Sequence, residues 1–138
     1  MQDKLKVSII TPEKVYKSIE VDGLKVFTDH GQVTIMPHHT AFIANIEISV
    51  VTTIIDGVSK HYAVGGGVIR VKEKDETAYL ILNSFISVED IDQAKVELEK
   101  KEAEEEIKNA KSNIEHRNAE LHLKRILNET SAKNKYDI

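Results

Sequence analysis

The feature that most constrains this chain is a break after residue 86. Up to Ile86, apolar and polar residues alternate. The 52 residues that follow, 87–138, contain neither glycine nor proline, and their apolar residues recur at helical spacing. A period of two lines one face of a strand, and a period near 3.6 lines one face of a helix. The expected fold is therefore an N-terminal antiparallel β-sandwich over 1–86, followed by a C-terminal antiparallel two-helix hairpin over 87–138.

In the first part, alternation marks five runs: Leu5 to Ile9, Ile19 to Phe27, Ile48 to Ile55, His61 to Val71 and Thr77 to Asn83. Turn signals fall between or within them: TPEK at Thr11, Asp22-Gly23, Asp29-His30-Gly31, Asp56-Gly57 and KEKDE at Lys72. Turns spaced about 8–12 residues apart suit a sandwich or barrel. The stretch GQVTIMPHHTAF, Gly31 to Phe42, reads as a loop-like run.

In the second part, Ser87 followed by Asp90 and Ser112 followed by Glu115 each place a hydroxyl at an N-cap and an acid three residues on, the pattern of a capping box. A break is expected near Asn109 to Asn113. The first helix carries Val88, Ile91, Ala94 and Leu98 on one stripe and becomes polar through KKEAEEE, Lys100 to Glu106. The second has two apolar stripes: Ile114 and Leu121 on one side, and Ala119, Leu123, Ile126 and Leu127 roughly opposite, beside a basic ridge of Arg117 and Lys124. A simple surface helix needs only one stripe. Charge also divides unevenly, with five basic and nine acidic residues in 87–111 against five and four in 112–138. Exposed ion pairs are worth only about 0.2–1 kcal/mol each, so a hairpin joined this way can open.

Little in the chain suggests catalysis. With 138 residues, 41% hydrophobic and 30% charged, there is material for one modest core and an appendage. No secretory leader or membrane-spanning run is recognisable, so direct membrane insertion is not expected. The absence of cysteine removes disulfides, thiolate metal sites and thiol nucleophiles. A net charge of −4 and 5% aromatics argue against nucleic acid as a partner. His38 and His39 are adjacent, so in an extended segment they point to opposite faces and suit one metal poorly; no metal site is expected. Gly65-Gly66-Gly67 precedes VIRV, a strand continuation, and so reads as a bulge or close backbone approach in place of a phosphate cradle. Glu102 and Glu104 to Glu106 lack the spacing of a calcium loop and read as a solvated helix face. No serine elbow or paired carboxylate stands out, and no catalytic residue is assigned.

Five segments in order, TPEKVY (Thr11 to Tyr16), GQVTIMPHH (Gly31 to His39), YAVGGGVIRV (Tyr62 to Val71), DIDQAKV (Asp90 to Val96) and AELHLKR (Ala119 to Arg125), resemble the epsilon subunit of the bacterial F-type ATP synthase. The resemblance spans nearly the whole chain. It implies a non-catalytic foot of the central stalk, coupling the catalytic head to the proton-translocating rotor. Its partners would be the gamma subunit, the membrane rotor ring of c subunits and, transiently, the catalytic alpha and beta subunits. Its place would be peripheral, on the cytoplasmic face of the cell membrane. The family loop reads Gly-x-x-Gly-Ile-Leu-Pro-Gly-His; here Thr34 and His38 stand where it has glycine, and Gln32 and His39 would face the rotor ring.

The resemblance also implies a regulatory hairpin that folds on the sandwich in one state and extends toward the catalytic subunits in another, blocking ATP hydrolysis. Arg117, Lys124 and Arg125 are the candidate inhibitory contacts. Some members bind ATP in the folded hairpin through Ile/Leu-Asp-x-x-Arg-Ala and arginines of the second helix. Ile91, Asp92, Lys95 and Arg125 match or stand in for those residues, Val96 replaces the alanine, and Glu102 and Glu129 occupy arginine positions. Two acids where a triphosphate needs cations should repel it, so ATP is expected to be at most a weak regulatory ligand. The alternative is a nucleotide-sensing module that does bind ATP there.

Overall fold

The computed structural model describes residues 4–13, 16–72, 74 and 76–136. Eight strands come first: β1 Leu5–Ile10, β2 Tyr16–Val21, β3 Gly23–Thr28, β4 Gly31–Ile35, β5 Phe42–Ile55, β6 Val58–Lys72, β7 Thr77–Leu82 and β8 Phe85–Ser87. A short 3₁₀ turn, Val88–Asp90, leads to α1 Gln93–Lys108 and α2 Asn113–Tyr136.

The strands run in the order β2-β1-β7-β6-β5-β3-β4, with β8 paired to β6 beyond the end of β7. Although three strands separate β2 from β5 in that order, the two touch, so the sheet closes over a single core. That core contains Leu5, Val7, Ile9, Leu24, Val26, Ile35, Val51, Ile69, Leu80 and Leu82, each at most 1% exposed. Burying one such side chain stabilises the fold by about 1.5–3 kcal/mol. The long β5–β6 hairpin is set by Asp56 (φ 51°) and Gly57 (φ 80°), a two-residue loop closed by the Ile55–Val58 pair. Positive φ at both loop positions matches the twist of the flanking strands, which is why Asp-Gly is favoured there.

Three sequence expectations change. The run Gly31–Ile35 is a strand, antiparallel to β3, because Val33 is half-buried and Ile35 fully buried on the core face. The Ile19–Phe27 run is two strands divided at the Asp22-Gly23 turn. The sheet is not wholly antiparallel: β1 runs parallel to β7, joined through Lys6–Thr77 to Ile10–Ile81. Parts of the TPEK and KEKDE turns, at residues 14, 73 and 75, lie outside the described residues.

The second helix starts as expected and the first does not. The backbone N–H of Glu115 donates to Ser112 Oγ at 3.1 Å, and the Glu115 carboxylate accepts from Lys111 N–H at 2.8 Å, one residue before the usual capping-box partner. For α1 the cap is Asp92, whose carboxylate accepts from the N–H groups of Ala94 and Lys95. Ser87 heads only the 3₁₀ turn, and its buried hydroxyl finds no hydrogen-bond partner among the described residues. Moving the start to Gln93 rotates the apolar face. Val96 and Ala103 are buried, while Ala94 is exposed and Leu98 is 59% exposed, so the expected Ala94–Leu98 stripe is the outer face.

Candidate functional site

The hairpin lies on the sandwich through α2. That helix touches β5, β6 and the 3₁₀ turn, whereas α1 packs chiefly on α2. At about 100° per residue, α2 presents one face to α1 and a second to the sheet. Ala119 and Ile126 lie on the first, Asn128 and Ala132 on the second, and all but Asn128 are fully buried. The apolar seam joins Ala63, Val88, Ile91, Val96, Ala103, Ile126 and Ala132 in a cluster separate from the sandwich core.

Polar anchors tie α2 to backbone carbonyls. Arg125 Nε donates to the Gly65 carbonyl at 3.1 Å. Asn128 Nδ2 donates to the carbonyls of Ser49 at 2.9 Å and Val64 at 3.4 Å. Lys133 Nζ reaches the Val88 carbonyl at 3.4 Å. The glycine triplet is the close approach expected of it. A Cβ at Gly65 would meet Ser84 Oγ and lie 3.2 Å from the Arg125 side chain; one at Gly67 would collide with the Ile81 carbonyl oxygen. At the end of α2, the Tyr136 ring stacks on His61, centroids 3.9 Å apart.

The two stripes of α2 are thus used only in part. The C-terminal half of the sheet-facing stripe is docked, but its N-terminal half runs past the sheet, leaving Ile114 74% and Leu121 38% exposed. Leu127, grouped by sequence with the buried stripe, is 43% exposed. Arg117 and Lys124 are exposed and make no hydrogen bond or ion pair among the described residues. Arg125, grouped with them by sequence, is half-buried and held on Gly65.

Ile91, Asp92 and Lys95 do come together. They line a cleft of about 510 Å³ with Glu13, Asp90, Val96, Glu99 and Glu129. Arg125 and Glu102 are not among the lining residues. One lysine faces five acids there, and the Asp92 carboxylate is occupied as the cap of α1. Burial, reinforced by neighbouring Glu99, pushes the Glu129 carboxyl above the usual glutamate range; Lys95 and His122 oppose this more weakly. Such a cleft disfavours a triphosphate.

At the far end of the sandwich, Gln32 is exposed on β4 and His39 is half-buried in the following turn. His39 Nδ1 lies 2.7 Å from the Thr40 carbonyl oxygen. His38 takes φ 67° and sets its Nδ1 2.6 Å from Glu76. The two histidines therefore engage different partners, and no cluster of potential metal ligands occurs among the described residues. Of the two glycines missing from the family loop, only His38 stands where the backbone is left-handed, and histidine is among the residues that tolerate this; Thr34 sits within β4. Beside this loop a groove of about 750 Å³ is lined by Phe42, Ile43, Arg70, Val71, Lys72 and Lys74.

Sequence reasoning missed Asn128, His61 and Tyr136. Only Asn128 left a trace, as a polar residue in line with the Ile114–Leu121 stripe.

Comparison with known proteins gives a consistent result. Residues 4–78 match the β-sandwich domain model of the ATP synthase delta/epsilon chain, and residues 89–130 match its long α-helix domain model. The ATP synthase epsilon chain of Ruminococcus albus is 33% identical over 131 residues, covering 94% of this chain and 96% of that relative. That of Bacillus licheniformis is 29% identical over 124 residues, covering 90% and 93%. The fold is also that of a chain in the Euglena gracilis mitochondrial ATP synthase (OSCP/F1/c-ring), with a TM-score of 0.72, 14% identity and coverage of 94% of this chain and 81% of that one. A chain of the Tetrahymena thermophila mitochondrial ATP synthase central stalk and c-ring gives 0.65, also at 14% identity, covering 96% and 98%. With both halves matched in order and a relative sharing nearly its full length, the chain belongs to the ATP synthase delta/epsilon family, as an epsilon-type subunit.

Proposed function

We propose that this chain is a non-catalytic element of the ATP synthase central stalk whose sandwich is a fixed anchor and whose hairpin is a detachable brake on ATP hydrolysis. The anchor joins the gamma subunit and, through the end bearing Gln32 and His39, the rotor ring of c subunits. The assembly lies peripherally on the cytoplasmic face of the membrane. No helix among the described residues is long and apolar enough to span it.

The observation that carries this reading is the half-used second face of α2. Ile114, Leu121, Arg117 and Lys124 form an exposed amphipathic surface, and an apolar stripe flanked by cations suits an acidic, grooved partner such as the catalytic alpha and beta subunits. Arg125 and Asn128 can join that surface only when α2 leaves the sheet. The docked hairpin is therefore the non-inhibiting state.

ATP is at most a weak ligand of this hairpin, because the cleft holding Ile91, Asp92 and Lys95 is acidic and Arg125 stands outside it. Calorimetry is expected to give no sub-millimolar affinity; a sub-millimolar value would favour the nucleotide-sensing alternative.

The test of the brake is ATP hydrolysis by a catalytic complex stripped of its epsilon subunit, with this chain added back whole or ended after Ile91. Both forms are expected to bind, and only the whole chain to slow hydrolysis. Binding of both without inhibition by either would contradict the regulatory reading.

A further inference from the structure

The last turn of α2 is held by an arrangement that the anchors at Arg125 and Asn128 do not require. His61 lies on β6 in a cross-strand row, Lys25–Thr52–His61, running from β3 through β5. Its Nδ1 is 2.9 Å from Thr52 Oγ1, and its ring is covered by Tyr136 at 3.9 Å with planes 23° apart. We infer that His61 and Tyr136 form a proton-sensitive latch that holds the end of α2 on the sheet while His61 is neutral and releases it as His61 is protonated.

The surroundings set the sign. From β3 comes Lys25 and from α2 Lys135, both unfavourable to an imidazolium. From the 3₁₀ turn, Glu89 borders the same recess as His61 and is bound at 3.1 Å to Lys60, which also lines it; Asp90 also lies on that turn, and Lys133 is engaged with the Val88 carbonyl. The Tyr136 face opposes release, since a cation on an exposed aromatic face gains about 0.5–1 kcal/mol. Burial comes first, followed by Lys25 and Lys135, in holding the imidazole below its ordinary 6.5. A group with a depressed pKa in the docked state takes up a proton on release. Docking is therefore strongest above the ordinary histidine value and is lost as pH falls through it toward the lowered one. Each unit between the two values changes the docking equilibrium about tenfold.

The latch concerns only whether the end of α2 lies on the sheet, and it stands whether or not the released hairpin inhibits hydrolysis. The test uses the full chain and two readouts. NMR titration of the His61 ring is expected to give a value below the ordinary one, moving upward in Tyr136→Ala. Amide exchange along residues 126–136, corrected for intrinsic rates between about pH 8 and about pH 5, is expected to lose protection toward acid in the native chain and much less in His61→Gln. Glu129 titrates alike in both proteins, so the difference between them isolates His61. A His61 value at or above the ordinary one, or the same acid dependence in His61→Gln as in the native chain, would overturn the latch.

Discussion

The sandwich and the hairpin are held together by different means. In the sandwich, eight strands close over one apolar core, and most of the large side chains there are at most 1% exposed. The hairpin rests on a second, smaller cluster that includes three alanines, with side chains reaching the backbone carbonyls of Ser49, Val64, Gly65 and Val88. A polar anchor of that kind nets about 0.5–1.5 kcal/mol, less than one well-packed core side chain. The lesson is that the two regions should come apart at different free energies, as a detachable brake on a fixed anchor requires.

The sharpest ways to test that contrast strike one region at a time. Gly67→Ala drives a Cβ into the Ile81 carbonyl and within 2.9 Å of Leu82 Cα. It is expected to cost the sandwich about 3 kcal/mol or more, read as a lowered melting temperature for the whole chain. Ile126→Ala removes the bulkiest fully buried side chain of the hairpin seam in α2. It should cost about 2–4 kcal/mol, with amide protection lost in α1 and α2 and kept in β5 and β6. Asn128→Ala removes the hydrogen bonds that α2 donates to the Ser49 and Val64 carbonyls; a loss of about 1–2 kcal/mol, confined to hairpin docking, is expected by the same measurement. Asp92→Ala deletes the cap of α1 and should cost about 1 kcal/mol, visible as fraying of its first turn.

The smallest effect is electrostatic. The Glu129 carboxyl is raised above 4.5 by burial and by Glu99. A raised folded-state value means that its contribution is fully present below the ordinary glutamate range and is lost as pH rises through the raised one. Glu129→Gln is therefore expected to strengthen docking at neutral pH, and titrating both proteins from acid to neutral should show the native chain alone losing hairpin protection through this group.

Much of the fold was legible because burial has a period. Alternation located five of the runs, and the change of period located the hairpin. Strand β4 hid because its five residues contribute only Val33 and Ile35 to the interior and sit beside Pro37, so local composition spoke for a loop. The start of α1 was misplaced because Ser87-x-x-Asp90 and Asp92 compete as caps, and tertiary packing of Val88 and Ile91 decides for the later one. At the site, Arg125 lies apart from Asp92 and Lys95 for a reason sequence cannot supply: the carbonyl of Gly65, sixty residues away, accepts from its guanidinium as well as from Asn83. His61 and Tyr136 meet across an even longer separation and carry no motif.

Native-state amide exchange on the full chain tests the central contrast most directly. The expected result is that α2 exchanges through an opening that leaves the strands closed, at a free energy several kcal/mol below that of β5, β6 and β7, the range that separates subglobal from global opening. A common free energy for α2 and the strands, with both lost in one event, would contradict it.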